Sequence, residues 1–189
     1  MTNSRRLLVE SRLSPALRRV GASNDLLDQL HRPELLRKRA VAPAREEPYG
    51  RKPILRTGLA ELLLICWDED VFCAPHDHGE ATGLIYLCEG RYTERTYAWH
   101  GRELRIVRKR QVESPAVLEV QAGLIHDMKA SGGGLGLHLY EPAISRMQVY
   151  DLARRQVLVV GDDSGAWLPR DPRMVVERRS FPSPKAEAR

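Results

Sequence analysis

From about residue 57 onward the chain predicts a mainly β protein, a jelly-roll-like antiparallel β-barrel preceded by short N-terminal α-helices. Three observations carry that reading. The runs Leu62–Cys66, Gly83–Cys88, Arg91–Thr96, Leu104–Val107, Ala116–Val120, Leu135–Tyr140, Met147–Tyr150 and Val157–Val160 are short, strand-like and separated by turn residues. No helical stretch intervenes between them, so neighbouring strands should pair antiparallel. Ahead of them Leu7, Leu8, Leu13, Leu17, Leu26, Leu27, Leu30, Leu35 and Leu36 recur at steps of three and four, the period of a helix.

Taken in order, the chain divides into a helical arm over 1–40, a barrel domain over 41–165 and an irregular tail over 166–189. In the arm, Asn24-Asp25 supplies an N-cap ahead of Leu26, and Pro15 or Gly21 separates two short helices. Residues 41–56 are rich in proline and charge and read as a connection. The tail carries four prolines interleaved with charged residues.

Composition narrows the class. With 42% hydrophobic and 29% charged residues over 189 positions, the chain has the make-up of a globular protein with one core. No apolar run is long enough for a membrane helix, and Glu10 interrupts the basic N-terminus before a secretory apolar segment could form. Cys66, Cys73 and Cys88 are odd in number and lack CxxC spacing, which points to a reducing, cytoplasmic setting and away from a zinc–thiolate site. The net charge of +5 gathers at residues 102–110, at Arg154-Arg155 and at Arg178-Arg179. No nucleic-acid-binding motif accompanies those clusters, so neither nucleic acid nor membrane is expected as a partner.

The residues that carry chemistry are histidines. His76-Asp77-His78 places two imidazoles two residues apart, which on a β-strand aims both at one point. His126, after Gly123-Leu124-Ile125, is a third candidate between strand-like runs, and inward-facing residues of a barrel converge on its axis. His31 in the arm and His100 in the Trp99-His100-Gly101 turn read as surface residues. Three neutral imidazoles without a carboxylate suit iron, zinc, copper or nickel and leave the ion's charge unmatched. Such a site favours an anionic substrate bound directly, and a thiolate is the natural candidate.

The spacing of His78, Gly83 and Gly90 resembles the first cupin motif, with Gly83 where a Glu usually stands, and Gly123-x-x-His126 resembles the core of the second. More specifically, Ile65-Cys66-Trp67, His76-Asp77-His78, Leu87-Cys88-Glu89-Gly90 and Tyr97-Ala98-Trp99 together resemble cysteine dioxygenase, over roughly residues 49–151. Leu137-His138-Leu139-Tyr140 resembles that family's His-x-Tyr strand, with Asp151 at a matching distance, and Tyr49-Gly50-Arg51 resembles its Tyr-x-Arg element.

The resemblance implies a cupin barrel holding Fe(2+) on His76, His78 and His126. It implies a small-molecule thiol and O2 as partners, L-cysteine as substrate and cysteine sulfinic acid as product, in a monomer. Arg51 would hold the substrate carboxylate with Tyr49 nearby, and Tyr140, oriented by His138, would act on the reacting oxygen. Lys52 and Arg56 are competing cations. Arg146 lies where relatives acting on 3-mercaptopropionate place a different arginine; mercaptosuccinate is another open substrate, and a non-catalytic ligand-binding cupin is the alternative outside enzymes. Two departures stand out. Gly83 replaces the Cys that animal-type members join to the tyrosine, as in many bacterial relatives, and Gly136 replaces the Ser of the Ser-His-Tyr relay.

Overall fold

The computed structural model describes residue 11, residues 13–30 and residues 32–182. The N-terminal stretch read for a leader, His31 and the end of the tail lie outside them. Helices α1 (residues 13–19), α2 (Asn24–Gln29) and α3 (Pro33–Arg39) precede nine strands. These are β1 (Tyr49–Arg56), β2 (Glu61–Trp67), β3 (Thr82–His100), β4 (Glu103–Glu113), β5 (Ala116–Val120), β6 (Ile125–Glu141), β7 (Gln148–Asp151), β8 (Gln156–Val160) and β9 (Val175–Ser180). A six-stranded sheet runs in the order β1-β2-β6-β3-β4 with β5 also on β3, and β7-β8-β9 form a second sheet. All pairings within the sheets are antiparallel. This is the mainly β, cupin-type architecture with short N-terminal helices. Among the described residues no helix is long and apolar enough to cross a membrane.

Burial of β2 explains how the layers stack. Its sequence is apolar at nearly every position, the mark of a strand covered on both faces. Leu63, Ile65 and Trp67 point into the barrel core with Ile85, Leu87 and Met128. Leu62 and Leu64 point the other way, into a second cluster with Leu13, Leu17, Leu26 and Leu30 of the helical arm. β6 divides likewise: His138 and Tyr140 lie on the inner side, while Leu137 and Leu139 face the arm. The arm is thus a lid on the outer face of the sheet, and Tyr86 donates its hydroxyl proton to the Leu30 carbonyl at 3.1 Å.

Several elements differ from expectation for identifiable reasons. Residues 49–56 are strand β1 rather than connection; Pro53 is accommodated because β1 is a sheet edge, and the register slips beside it. Gly83–Cys88 and Arg91–Thr96 are one strand, β3, bent by bulges around Gly90 (φ 108°) instead of ending there. The Gly132-Gly133 step, at φ 72° and 78°, is a bulge within β6 and not a loop, so His126, His138 and Tyr140 share one strand. The tail is not irregular throughout, since a 3-10 turn at Pro172–Met174 leads into β9 on β8. Ser23, not Asn24, caps α2, its Oγ accepting from Leu26 N–H at 3.2 Å. His100 ends β3 in an exposed position.

Because Leu64 is fully buried between sheet and arm, Leu64→Ala should cost about 2–5 kcal/mol of unfolding free energy. Urea unfolding followed by circular dichroism measures it, and an unchanged midpoint would show that the arm does not pack as described.

Candidate active site

His76 and His78 do not sit on a regular strand. They lie on an extended segment joined to the sheets by single bridges, His76 to His126 and to Val149. His76 N–H donates to His126 O, and His126 N–H to His76 O, each at 2.9 Å. This reciprocal pair sets the two side chains opposite one another, with ring centroids 4.8 Å apart. Between the histidines Asp77 turns the other way. Its carboxylate accepts from Gly79 N–H, Gln148 N–H and the Tyr150 hydroxyl, at 3.0, 3.2 and 3.0 Å. Those bonds pin the segment to β7 and present His78 on the His76 side. Gly79 is required there: its φ is 63°, and a Cβ would meet the Ser145 carbonyl at 2.5 Å.

The ligand-type atoms of His76, His78 and His126 fall within 4.8 Å of one another, and all three residues are buried. Each ring has a nitrogen free to coordinate. His76 Nδ1 is 2.9 Å from the Ala74 carbonyl, which fixes the proton on Nδ1 and leaves Nε2 as the lone-pair donor. His126 Nδ1 lies 3.1 Å from Glu94 Oε1, while its buried Nε2 has no partner. Burial lowers the pKa of His76 to about 3, with His126 adding to the effect, and burial beside His76 holds His78 well below its ordinary value. Both imidazoles are therefore neutral, as metal coordination needs. An orphaned, buried imidazole nitrogen aimed among two other imidazoles is what a bound metal ion would satisfy, so the residues fit one.

Glu94 was not singled out from the sequence. It shares the inner face of β3 with Tyr92 two residues before it, a period-two relation that was legible. Burial alone would raise its carboxyl, but hydrogen bonds with His126 and Arg110 outweigh that and hold it at about 2. Arg110 stands directly opposite on β4 and ion-pairs with it. On the opposite face of β6 from His126, Asp127 accepts from Arg95 Nε at 2.8 Å and from the Tyr97 hydroxyl at 2.6 Å. His126 is thus fixed both through its ring and through its backbone.

Tyr140 lies beside the histidines. Its ring stacks on His78 at 4.7 Å, and its hydroxyl is 3.1 Å from His78 Nε2 and 3.2 Å from His138 Nδ1. Burial, with Tyr49 adding, raises its pKa well above the usual value, so it is a protonated phenol at neutral pH. Gly83 faces Tyr140 in register, and a Cβ there would approach the tyrosine ring to 2.6 Å. No sulfur stands at that position to join the ring. His138 Nε2 is buried without a partner, and a Cβ on Gly136 would sit 3.3 Å from it. Gly136 brings no side-chain hydroxyl to that nitrogen.

These residues border a cavity of about 40 Å³, walled by Leu63, Ile65, Ile85, Met128 and Ile144. Among the described residues that line it, Arg51 is the one Lys or Arg. Tyr49 lines it too, its hydroxyl accepting from Ala166 N–H at 2.7 Å. The other cations are engaged elsewhere. Lys52 donates to the Arg39 carbonyl at 2.8 Å, Arg56 pairs with Asp162 at 2.9 Å, and Arg146 is exposed and pairs with Glu177 at 2.7 Å. Asp151 pairs with Arg154 at 2.9 Å, outside the cavity lining.

The family model for cysteine dioxygenase type I matches residues 39–153, more than half of the chain and all of the cavity's histidines. The chain belongs to the cysteine dioxygenase type I family. Cysteine dioxygenase type 1 of Danio rerio is 25% identical over 103 residues, covering 50% of this chain and 51% of that protein. The chain therefore spans about half the length of this curated relative. A Klebsiella pneumoniae protein with a double-stranded β-helix domain superposes with a TM-score of 0.50 at 13% identity, over 59% of this chain and 86% of that one. At that identity the likeness concerns the fold, which agrees with the barrel the family implies.

If Glu94 fixes the proton and orientation of His126, then Glu94→Gln should weaken metal binding about 10–100-fold. Competition with a chelator of known affinity measures it, with circular dichroism unchanged. Affinity equal to that of the unmodified protein would show that Glu94 is a passive core residue.

Proposed function

We propose that this chain is a non-haem Fe(II) thiol dioxygenase acting on L-cysteine and O2 to give cysteine sulfinic acid. The observation that supports it most is the convergence of His76, His78 and His126, with no carboxylate among them, beside the Tyr140 hydroxyl in an apolar cavity. Fe(II) held by the three imidazoles would supply a Lewis acid that accepts the thiolate as its missing anionic ligand and activates O2. The reaction balances without a reductant, since a thiolate and O2 together contain every atom and electron of the sulfinate.

The chain's own groups prepare the substrate. Arg51 lines the cavity, gives Nη2 to Glu61 at 2.6 Å and would offer its remaining guanidinium donors to a substrate carboxylate. Tyr49, fixed by the Ala166 amide, retains its own proton to donate beside it. Tyr140 keeps a proton available next to the reacting centre, where a fixed donor stabilises developing negative charge. His138, neutral because burial beside His126 lowers its pKa to about 3, holds that hydroxyl in place. The aliphatic walls keep bulk water away from the sulfur. The exposed, ion-paired position of Arg146 favours Arg51 over it as the carboxylate partner, and with it cysteine over 3-mercaptopropionate.

Oxygen uptake by iron-loaded protein with cysteine, 3-mercaptopropionate and mercaptosuccinate tests the proposal. Cysteine should drive uptake with sulfinate formed, and His126→Ala should abolish both. Arg51→Ala should raise the cysteine KM roughly ten- to a hundredfold, because it leaves the buried Glu61 carboxylate facing the substrate's without their shared cation, whereas Tyr140→Phe should retain metal and lose mainly kcat. Unchanged cysteine kinetics in Arg51→Ala would mean that another group recognises the substrate, and uptake driven best by 3-mercaptopropionate would move the substrate assignment.

A further inference from the structure

The guanidinium that lines the cavity is already paired. Glu61 opens β2 directly opposite Tyr140 on β6 and opposite Arg56 on β1, so its side chain shares the inner row with the catalytic phenol. It is fully buried, its Oε1 lies 2.6 Å from Arg51 Nη2, and its Oε2 has no hydrogen-bond partner. Arg56 is a weaker neighbour of the same oxygen, at 3.7 Å, and gives its closer contact to Asp162 at 2.9 Å. Arg51 is therefore the principal counter-charge of a carboxylate that water does not reach. A substrate carboxylate brought to Arg51 must share that cation with a second buried anion, and the repulsion between the two offsets part of the attraction.

We propose that Glu61 sets the selectivity of this site: by holding Arg51 in a buried ion pair, it lets the cavity admit small thiols with and without a carboxylate at comparable affinity. The inference rests on the thiol-binding part of the proposed function. Arg51 supplies recognition, and Glu61, a positioning residue that does not line the cavity, limits its strength. Replacing Glu61 by its neutral isostere frees the guanidinium's charge for the substrate alone, which makes the site selective for thiol acids.

The test uses Co(II)-loaded full-length protein and the absorbance of thiolate-to-cobalt charge transfer, which reads binding without turnover. In the unmodified protein the Kd values of 3-mercaptopropionate and 2-mercaptoethanol should lie within about tenfold of each other. Glu61→Gln should shift their ratio about tenfold or more toward 3-mercaptopropionate, through charge interactions of the expected size. The double variant Arg51→Gln/Glu61→Gln should restore a ratio near the original. An unchanged ratio in Glu61→Gln, or a hundredfold carboxylate preference in the unmodified protein, would overturn the inference. Should Glu61→Gln fail to fold, the unmodified protein and the double variant still decide it, since a large fall in carboxylate preference between them contradicts a matched Arg51. A charge-transfer band absent with every thiol would overturn the thiol reading itself, a result distinct from a band whose ratio does not move.

Discussion

Two hydrogen bonds between His76 and His126 hold together what the rest of this structure elaborates. The segment before β3 makes few regular strand contacts, yet this reciprocal pair and the bridge to Val149 lace it to β6 on one side and β7 on the other. The same contact sets two imidazoles opposite one another, their rings tilted by 42°, and Asp77, bonded to β7 through Gln148 and Tyr150, commits His78 to their side. The same contacts link the two sheets and bring the histidine cluster together. A barrel that failed to close here would lose its candidate metal site together with the edge protection that closure gives.

Two of the ion pairs around that contact have different consequences for the site. Glu94 lies behind His126, with Arg110 behind it toward the surface, a chain that fixes which imidazole nitrogen carries the proton. Glu61 and Arg51 lie across the cavity, where an ion pair occupies the group that the substrate would use. In the proposed function the first pair would strengthen a metal ligand and the second would restrain a recognition element. Between them the walls are aliphatic, so electrostatic interactions inside are little screened and each charge matters more than on the surface.

Much of this was legible in the sequence, and the failures share a cause. His76, His78 and His126 were readable because metal coordination demands particular residue types at particular spacings, and the His-x-Tyr pattern of His138 and Tyr140 is equally distinctive. The helical arm and most strands followed from apolar periodicity. What misled was local chemistry that ends a strand in isolation but only bends it in a sheet: Pro53 on the edge strand, Gly90 and Gly132-Gly133 at bulges. Glu61 and Glu94 were hidden for a different reason. A carboxylate's partner is decided by strand register, and Glu61 meets Arg51 only because β1 and β2 pair with Gly50 opposite Cys66 and Lys52 opposite Leu64. Charge is visible in a sequence; the row that a charge occupies is not.

In the proposed function the imidazoles of His76, His78 and His126 and the protonated Tyr140 phenol would direct both atoms of O2 onto one sulfur in an apolar barrel. Mass spectrometry of the product formed by iron-loaded protein from L-cysteine under 18O2 in ordinary water tests it most directly. The account predicts cysteine sulfinate carrying two 18O atoms. Sulfinate with one labelled oxygen or none would place water in the oxygen-transfer step and contradict it.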